Sequence, residues 1–296
     1  MAGRIYWCFC QLGRGFRQWW EYGQLHRLLA DRTAKAPKQF KEEGMATTGG
    51  NMVLYWSKTT HTWIEKAAVL FGHRLQSIRW ITTDADNKMN NSVLIKSIEE
   101  DLKEGKNPFM VVGTAGVVDD LKAIAAVCKT YKLSFHIEGA YGMPAGVIQE
   151  YKHLCEGMEE ADSIALDPHK WLYSPLAAGC TLVKYPNHLI ATFSSHPVYY
   201  NFSNNQEALT QNYYEYGLQN SRGFRALKVW LALQQVGRSG YIKMIREDIH
   251  LSKLLFALAK SHGELEAMTQ NLSITTLRYV PLDLAYGNND EKKKDI

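Results

Sequence analysis

Hydrophobic positions along the middle of the chain change period several times, and each change marks a predicted element. Between Val93 and Leu102 the apolar residues Leu94, Ile95, Ile98 and Leu102 recur at spacings of three and four, which predicts an amphipathic helix. Gly105 and Asn107-Pro108 break that pattern. The following run Phe109-Met110-Val111-Val112-Gly113 is short, continuous and apolar, as a strand buried on both faces requires. Asp119-Asp120 then supply negative charge at a helix start, and Leu121, Ile124, Cys128 and Tyr131 continue as a helical stripe. Strands are predicted at Leu133 to Ile137, Ser163 to Leu166 and Gly179 to Val183. This alternation predicts an α/β domain with a largely parallel sheet and helices on both faces. Ligands in such sheets sit at the carboxyl ends of the strands, so the polar residues that follow each strand are the ones to inspect.

From Ser221 onward the pattern lengthens. Phe224, Leu227, Trp230, Leu231, Leu233 and Leu254-Leu255-Leu258 predict long helices separated at Gly237 and Gly240, and Leu272 to Tyr279 predicts a strand. The polar tail Gly287 to Lys294 reads as solvated. Three segments follow: residues 1–43 as a divergent N-terminal segment, 44–220 as a large domain, and 221–296 as part of a smaller C-terminal domain.

Composition narrows the function classes. A net charge of +4, spread along 296 residues, makes no basic footprint for nucleic acid. The N-terminal apolar run Ile5 to Cys10 is far shorter than the roughly 20 residues that span a bilayer, and it lacks a signal-peptide cleavage pattern. The expectation is a cytoplasmic protein without a membrane segment. Five cysteines in no metal-ligand spacing suit a reducing compartment and predict no metal site.

Three strand ends carry candidate chemistry. His136-Ile137-Glu138-Gly139-Ala140-Tyr141 places a carboxylate at the edge of an apolar strand, followed by small residues that admit something flat. Asp167-Pro168-His169-Lys170-Trp171 places a lysine just past a strand, where desolvation turns an ammonium into a usable amine nucleophile. Thr47-Thr48-Gly49-Gly50-Asn51 offers backbone N–H groups for an anion. Each alone has an ordinary explanation as a solvated loop or common turn. Together they supply a lysine, an acid and an anion nest, the set that pyridoxal phosphate (PLP) requires.

At these residues the chain resembles the group II PLP-dependent amino-acid decarboxylases, the family of the aromatic-amino-acid, histidine and glutamate decarboxylases. Asp167 to Trp171 is similar to the family's lysine motif, and His136 to Tyr141 to its His-Val-Asp-Ala-Ala-Tyr strand end. Glu138 and Lys170 lie 32 positions apart (170 − 138), which fits the family's spacing. Thr59 to Ala67 resembles the histidine segment, Ser195 to Tyr200 the mobile catalytic loop, and Asn220 to Trp230 the passage to the C-terminal domain. The resemblance runs from about residue 44 to about residue 284.

What the resemblance implies is specific. The fold is that of the fold-type I PLP enzymes, aspartate-aminotransferase-like, with a truncated C-terminal α+β domain. Lys170 holds PLP as a Schiff base, Glu138 pairs with the pyridine nitrogen, and His61 stacks on the ring with Ala140 on the opposite face. His169 touches the phosphate, Gly49, Gly50 and Asn51 form the phosphate loop, and Tyr199 returns the proton, so that Lys170, Tyr199 and His61 are the catalytic residues. The activity implied is decarboxylation of an L-amino acid, aromatic by preference, to an amine and CO2 in a homodimer.

Departures from the family pattern qualify this. Glu138 stands where the family has Asp, and Gly113 to Val118 is shorter than the family's Ser/Thr/Gly-rich loop. Gly50-Asn51 passes directly into Met52 to Tyr55, where the family has a long helix, so part of the sheet is expected to lie uncovered. The N-terminal dimerisation segment and most of the C-terminal domain are also absent. Two alternatives follow, an inactive family fragment and a PLP enzyme of another reaction class, such as an aminotransferase or carbon–carbon lyase.

Overall fold

A computed structural model of the chain describes residues 7–11, 21–48, 50–58, 61, 63–84, 87–115, 119–195, 212–221 and 223–281, with side chains from residue 25 onward. Among these residues one sheet has seven strands in the order β1-β7-β6-β5-β4-β2-β3. The strands are β1 (Trp7–Gln11), β2 (Met52–Ser57), β3 (Ile78–Ile81), β4 (Asn107–Thr114), β5 (Ser134–Glu138), β6 (Ser163–Leu166) and β7 (Gly179–Val183). β2 to β6 pair in parallel, whereas β7 and β1 close one edge antiparallel. The predicted strands at 163–166 and 179–183 match to the residue, and the parallel sheet is as expected.

Successive side chains point to opposite faces of the sheet and helices cover both faces, so β2 and β5 are buried along their whole length. On one face Val53, Tyr55, Val111, Phe135, Ile137 and Ile164 pack against α4 (Asn91–Lys103) and α5 (Leu121–Tyr131). On the other face Met52, Leu54, Trp56, Met110 and Val112 pack against Leu28 of α1 (Glu21–Lys35) and against Trp63, Ile64, Ala67 and Ala68 of α3 (Trp63–Leu70). Further along this face Val183 meets Ala30 of α1 and Leu189 of α6 (Pro186–Phe193). α1 and the short α2 (Phe40–Glu43) both precede β2.

α1 corrects the expectation of an uncovered sheet face. It lies within the segment set apart as divergent, yet it contacts β1, β4, β5, β6 and β7. Its polar residues hid it from a hydrophobic reading. Arg27 and Asp31 form an i,i+4 ion pair with side chains 1% and 0% exposed, on the face a helix normally fills with leucine.

Helix starts are capped by side chains, and the acidic pair predicted at one of them divides its roles. The Asn90 side chain accepts from the Ser92 and Val93 N–H groups and caps α4. At α5 the cap is Asp120, which accepts from Ala123 N–H. Asp119 turns back instead, accepting from Thr114 N–H at 2.8 Å and Met89 N–H at 2.7 Å, and so ties the end of β4 to the loop before α4.

The C-terminal region is α7 (Ala226–Ser261) followed by the hairpin β8 (Leu265–Asn271) and β9 (Ile274–Tyr279). As expected, α7 is broken into two helices at Gly237, whose φ of 64° and ψ of 171° are non-helical and favour a residue without a Cβ, whereas Gly240 lies inside the second helix. No helix among the described residues is long and apolar enough to cross a membrane.

Candidate active site at the carboxyl ends of the strands

The parallel register brings three polar strand ends side by side. Thr114, the last residue of β4, pairs with Glu138, the last residue of β5, and Glu138 in turn pairs with Ala165 of β6. The backbone continues this stitching: Ala115 N–H donates to Glu138 O at 2.8 Å, Gly139 N–H to Ala165 O at 2.8 Å, and Asp167 N–H to Ala140 O at 3.1 Å. Glu138 is therefore fixed at the carboxyl edge, only 9% exposed, beside the turn that carries Lys170.

That turn is tightly organised. Lys170 N–H donates to Asp167 O at 2.9 Å, Tyr173 N–H to Lys170 O at 3.1 Å, and Ser174 N–H to Pro168 O at 3.0 Å. The Lys170 ammonium lies 3.0 Å from Asp167 Oδ2; its side chain is 38% exposed and that of Asp167 3%. Burial raises the Asp167 pKa, and the Lys170 charge opposes that rise. His169 is held by Ala178: its Nδ1 lies 3.1 Å from Ala178 N–H and 2.5 Å from Ala178 O.

His61 approaches from the loop after β2. Its Nδ1 accepts from Trp63 N–H at 3.3 Å, which orients the ring at the start of α3. Partial burial, and then the positive charges of Lys170 and Lys66, lower its pKa, so the ring is kept neutral within electrostatic reach of Lys170. The structure thus gathers Lys170, Glu138, Ala140, His169 and His61 at one edge of the sheet.

It does not gather all the predicted residues. Gly50 and Asn51 precede β2 and lie at the amino end of a parallel strand, the opposite edge from Glu138. There Gly50 O accepts from Arg74 and Asn51 O from Asn107 N–H, so their polar groups serve the amino edge of the sheet. A phosphate nest at those two residues is not supported, because a six-residue strand separates them from the site by about 20 Å. Gly49 and Tyr199 lie outside the described residues.

Two further residues were not singled out from the sequence. Asp167 is the ion partner of the lysine; its fixed place three residues before Lys170 was the available signal. Thr114 has a buried hydroxyl oxygen with no partner among the described residues, at the strand end next to Glu138. Such an orphaned oxygen, a carboxylate and a held lysine at one edge fit a flat, anionic group that carries a protonated ring nitrogen. Gly139 lets the strand end pack closely on the segment that follows it: a Cβ there would sit 2.8 Å from Met143 Cβ.

Comparison with known proteins agrees with this geometry. Residues 22–279 match the sequence profile of the pyridoxal-dependent decarboxylase conserved domain, so α1 lies within the match. The chain is 35% identical over 241 residues to the aromatic-L-amino-acid decarboxylase of Bacillus atrophaeus, covering 79% of this chain and 50% of that one. It is 30% identical over 263 residues to tryptophan decarboxylase TDC1 of Camptotheca acuminata, covering 86% and 52%. Among solved structures it superposes on the Oryza sativa TDC with PLP and tryptamine with a TM-score of 0.80 at 26% identity, covering 88% of this chain and 54% of that one. The chain spans about half the length of these relatives. It is thus a member of the pyridoxal-dependent decarboxylases, in their group II, aromatic-decarboxylase-like branch, with pyridoxal phosphate as cofactor and a length shorter than its relatives.

Proposed function

We propose that the chain decarboxylates an L-amino acid, aromatic by preference, to the corresponding amine and CO2. The observation that carries this reading is the Lys170 turn, held by Asp167 beside the Glu138 strand end. Bound PLP would supply the electron sink for the breaking Cα–carboxylate bond.

The chain's own residues divide the remaining work. Lys170 presents the amine that holds the cofactor, and Asp167 fixes its position from a buried site. Glu138 supplies the negative charge that favours a protonated ring nitrogen. His61, neutral and oriented by Trp63 N–H, offers a flat face above the ring, and Ala140 leaves room below it. His169 and Thr114 are the polar groups for the cofactor's anionic edge. Tyr199 is proposed as the acid that delivers a proton to the substrate's Cα.

The preference for aromatic substrates rests on the named activities of the Bacillus and Camptotheca relatives. The proposal includes a homodimer in the cytoplasm, with the exposed Trp230, Leu231, Leu254 and Leu258 of α7 as apolar surface for association. Residues 44–220 with α1 form the cofactor-binding domain and residues 221–296 the smaller one.

The test is direct. The purified chain is titrated with PLP, its visible absorption recorded, and the adduct reduced with borohydride and mapped by mass spectrometry. L-Tryptophan, L-tyrosine and L-Dopa are then supplied, and CO2, amine and aldehyde read separately. Aldehyde is included because the 4-hydroxyphenylacetaldehyde synthase of Rhodiola rosea is 35% identical over 208 residues. A visible band, a label on Lys170 and equal amounts of CO2 and amine are expected. A label scattered over surface lysines, with no CO2, would reduce the chain to an inactive family fragment.

A further inference from the structure

α7 carries a carboxylate where its pattern calls for an apolar residue. Tyr241, Ile245 and Ile249 are the buried stripe that seats the helix on the large domain, together with Ala145, Ile148, Trp171 and Leu272. Asp248 lies three residues after Ile245 and therefore on the same stripe. A carboxylate placed there costs free energy unless its oxygens are hydrogen-bonded. Its partners are specific. Asp248 Oδ2 accepts from the Trp171 indole N–H at 2.7 Å and also from the Tyr173 hydroxyl. Two helical turns earlier, the Tyr241 hydroxyl donates to Leu172 O at 2.9 Å.

α7 thus grips three consecutive residues, 171, 172 and 173, that directly follow Lys170. Trp171 is 4% exposed, and its ring stacks on Tyr141 at 4.7 Å and 9°. Tyr141 follows Glu138, Gly139 and Ala140 on the next strand end, and its hydroxyl bonds to Ser273 of the β8–β9 turn. The C-terminal region therefore touches both the lysine turn and the acid's strand end through one stacked aromatic pair.

We propose that Asp248 is a positioning residue for Lys170, acting through the Trp171 indole and the Tyr173 hydroxyl, so that the C-terminal region sets the geometry of the amine. The inference rests on Lys170 being the reacting amine of the proposed function. Its test is built to be judged separately. On one side the lysine turn is held by Asp167, which bonds to Ala140 O and pairs with the ammonium; on the other, residues 171–173 are bonded to side chains of α7. Removing the Asp248 carboxylate leaves the indole N–H without its acceptor in a buried place and frees that second side.

The full chain, without PLP, is treated with formaldehyde and cyanoborohydride over a pH series, and methylation of Lys170 is followed by mass spectrometry. Asp248→Ala should raise the Lys170 labelling rate about ten-fold across the pH series, because a loosened turn frees the amine from its ion pair with Asp167. Asp248→Asn keeps an acceptor oxygen and should stay near wild type. Ser252→Ala is the control on the same helix, since Ser252 bonds to Thr275 of the hairpin at 2.9 Å and not to the lysine turn. It should leave the profile unchanged. If Asp248→Ala fails to fold by circular dichroism, Trp171→Phe removes the indole donor while keeping the stack, and should give the same rise. A Lys170 profile unmoved in a folded Asp248→Ala or Trp171→Phe protein, or moved equally by Ser252→Ala, overturns the proposal. A wild-type chain that takes up no PLP would refute the proposed function, and the labelling profiles would still decide the role of Asp248.

Discussion

Replacing Asp31 with alanine tests whether α1 is seated on the sheet as described. Arg27 Nε donates to Asp31 Oδ2 at 2.8 Å and Arg27 NH2 to the other carboxylate oxygen, with both side chains essentially unexposed. On a solvated helix face such an i,i+4 pair is worth about 0.3–0.5 kcal/mol. Here the alanine variant would strand a guanidinium whose NH1 already has no partner among the described residues. An unpaired buried charge costs about 3–5 kcal/mol, a large part of the 5–15 kcal/mol that holds an ordinary domain together. In urea unfolding followed by circular dichroism, with a slope of about 3 kcal/mol per molar, the midpoint should fall by about 1–2 M. The paired replacement Arg27→Met with Asp31→Leu should recover most of the loss, because it removes both desolvation penalties. Burial pushes the Asp31 pKa up to about 6 against the opposing charge of Arg27. The native state therefore holds this proton more tightly than the unfolded chain, and the pair's contribution to stability declines as pH rises from about 4 to about 6. A midpoint shift below about 0.3 M for Asp31→Ala would match a surface pair and refute the seating of α1.

Other outcomes follow from single sites. His73 stacks on Phe109 at 5.7 Å, and burial, aided by the charge of Arg32, lowers its pKa to about 4. Its unfolded form takes up a proton near pH 6.5 that the folded form refuses. Stability should therefore fall by about 3 kcal/mol as pH drops from 6.5 to 4, and His73→Phe should flatten that part of a Tm–pH curve. A slope unchanged by His73→Phe would show that His73 titrates in solvent. Gly157→Ala should lower stability by more than about 2 kcal/mol in thermal melts, since φ is +91° and the new Cβ would lie 2.6 Å from Lys122 backbone atoms. Glu138→Gln should weaken retention of PLP, read from the visible band during dialysis, by about ten-fold or more, because the charge that favours the protonated ring nitrogen is gone. Retention equal to wild type would remove Glu138 from the cofactor's partners.

Much of the site was legible because its chemistry is local in sequence. Lys170, His169 and Asp167 share one turn, and Glu138 and Ala140 share one strand end. The short continuous apolar runs before them placed both at the carboxyl edge of a parallel sheet. Gly50 and Asn51 misled for the same reason. Their composition suits an anion nest, but only the strand order reveals that Gly50 and Asn51 lie at the amino edge. Residue type states what a loop is able to bind, and topology decides what it faces.

The sequence by itself determined the α/β alternation, the buried strands, the acidic start of α5, and the lysine and acid that a PLP enzyme needs. These depend on periodicities and residue types that act within about ten residues. Tertiary structure decided two matters that such patterns do not encode. It placed α1 on the sheet, because an Arg–Asp pair reads as solvated until both partners are buried together. And it carried Asp248 across to the residues that follow Lys170, a contact spanning 77 positions that only packing of the C-terminal region against the strand ends brings about.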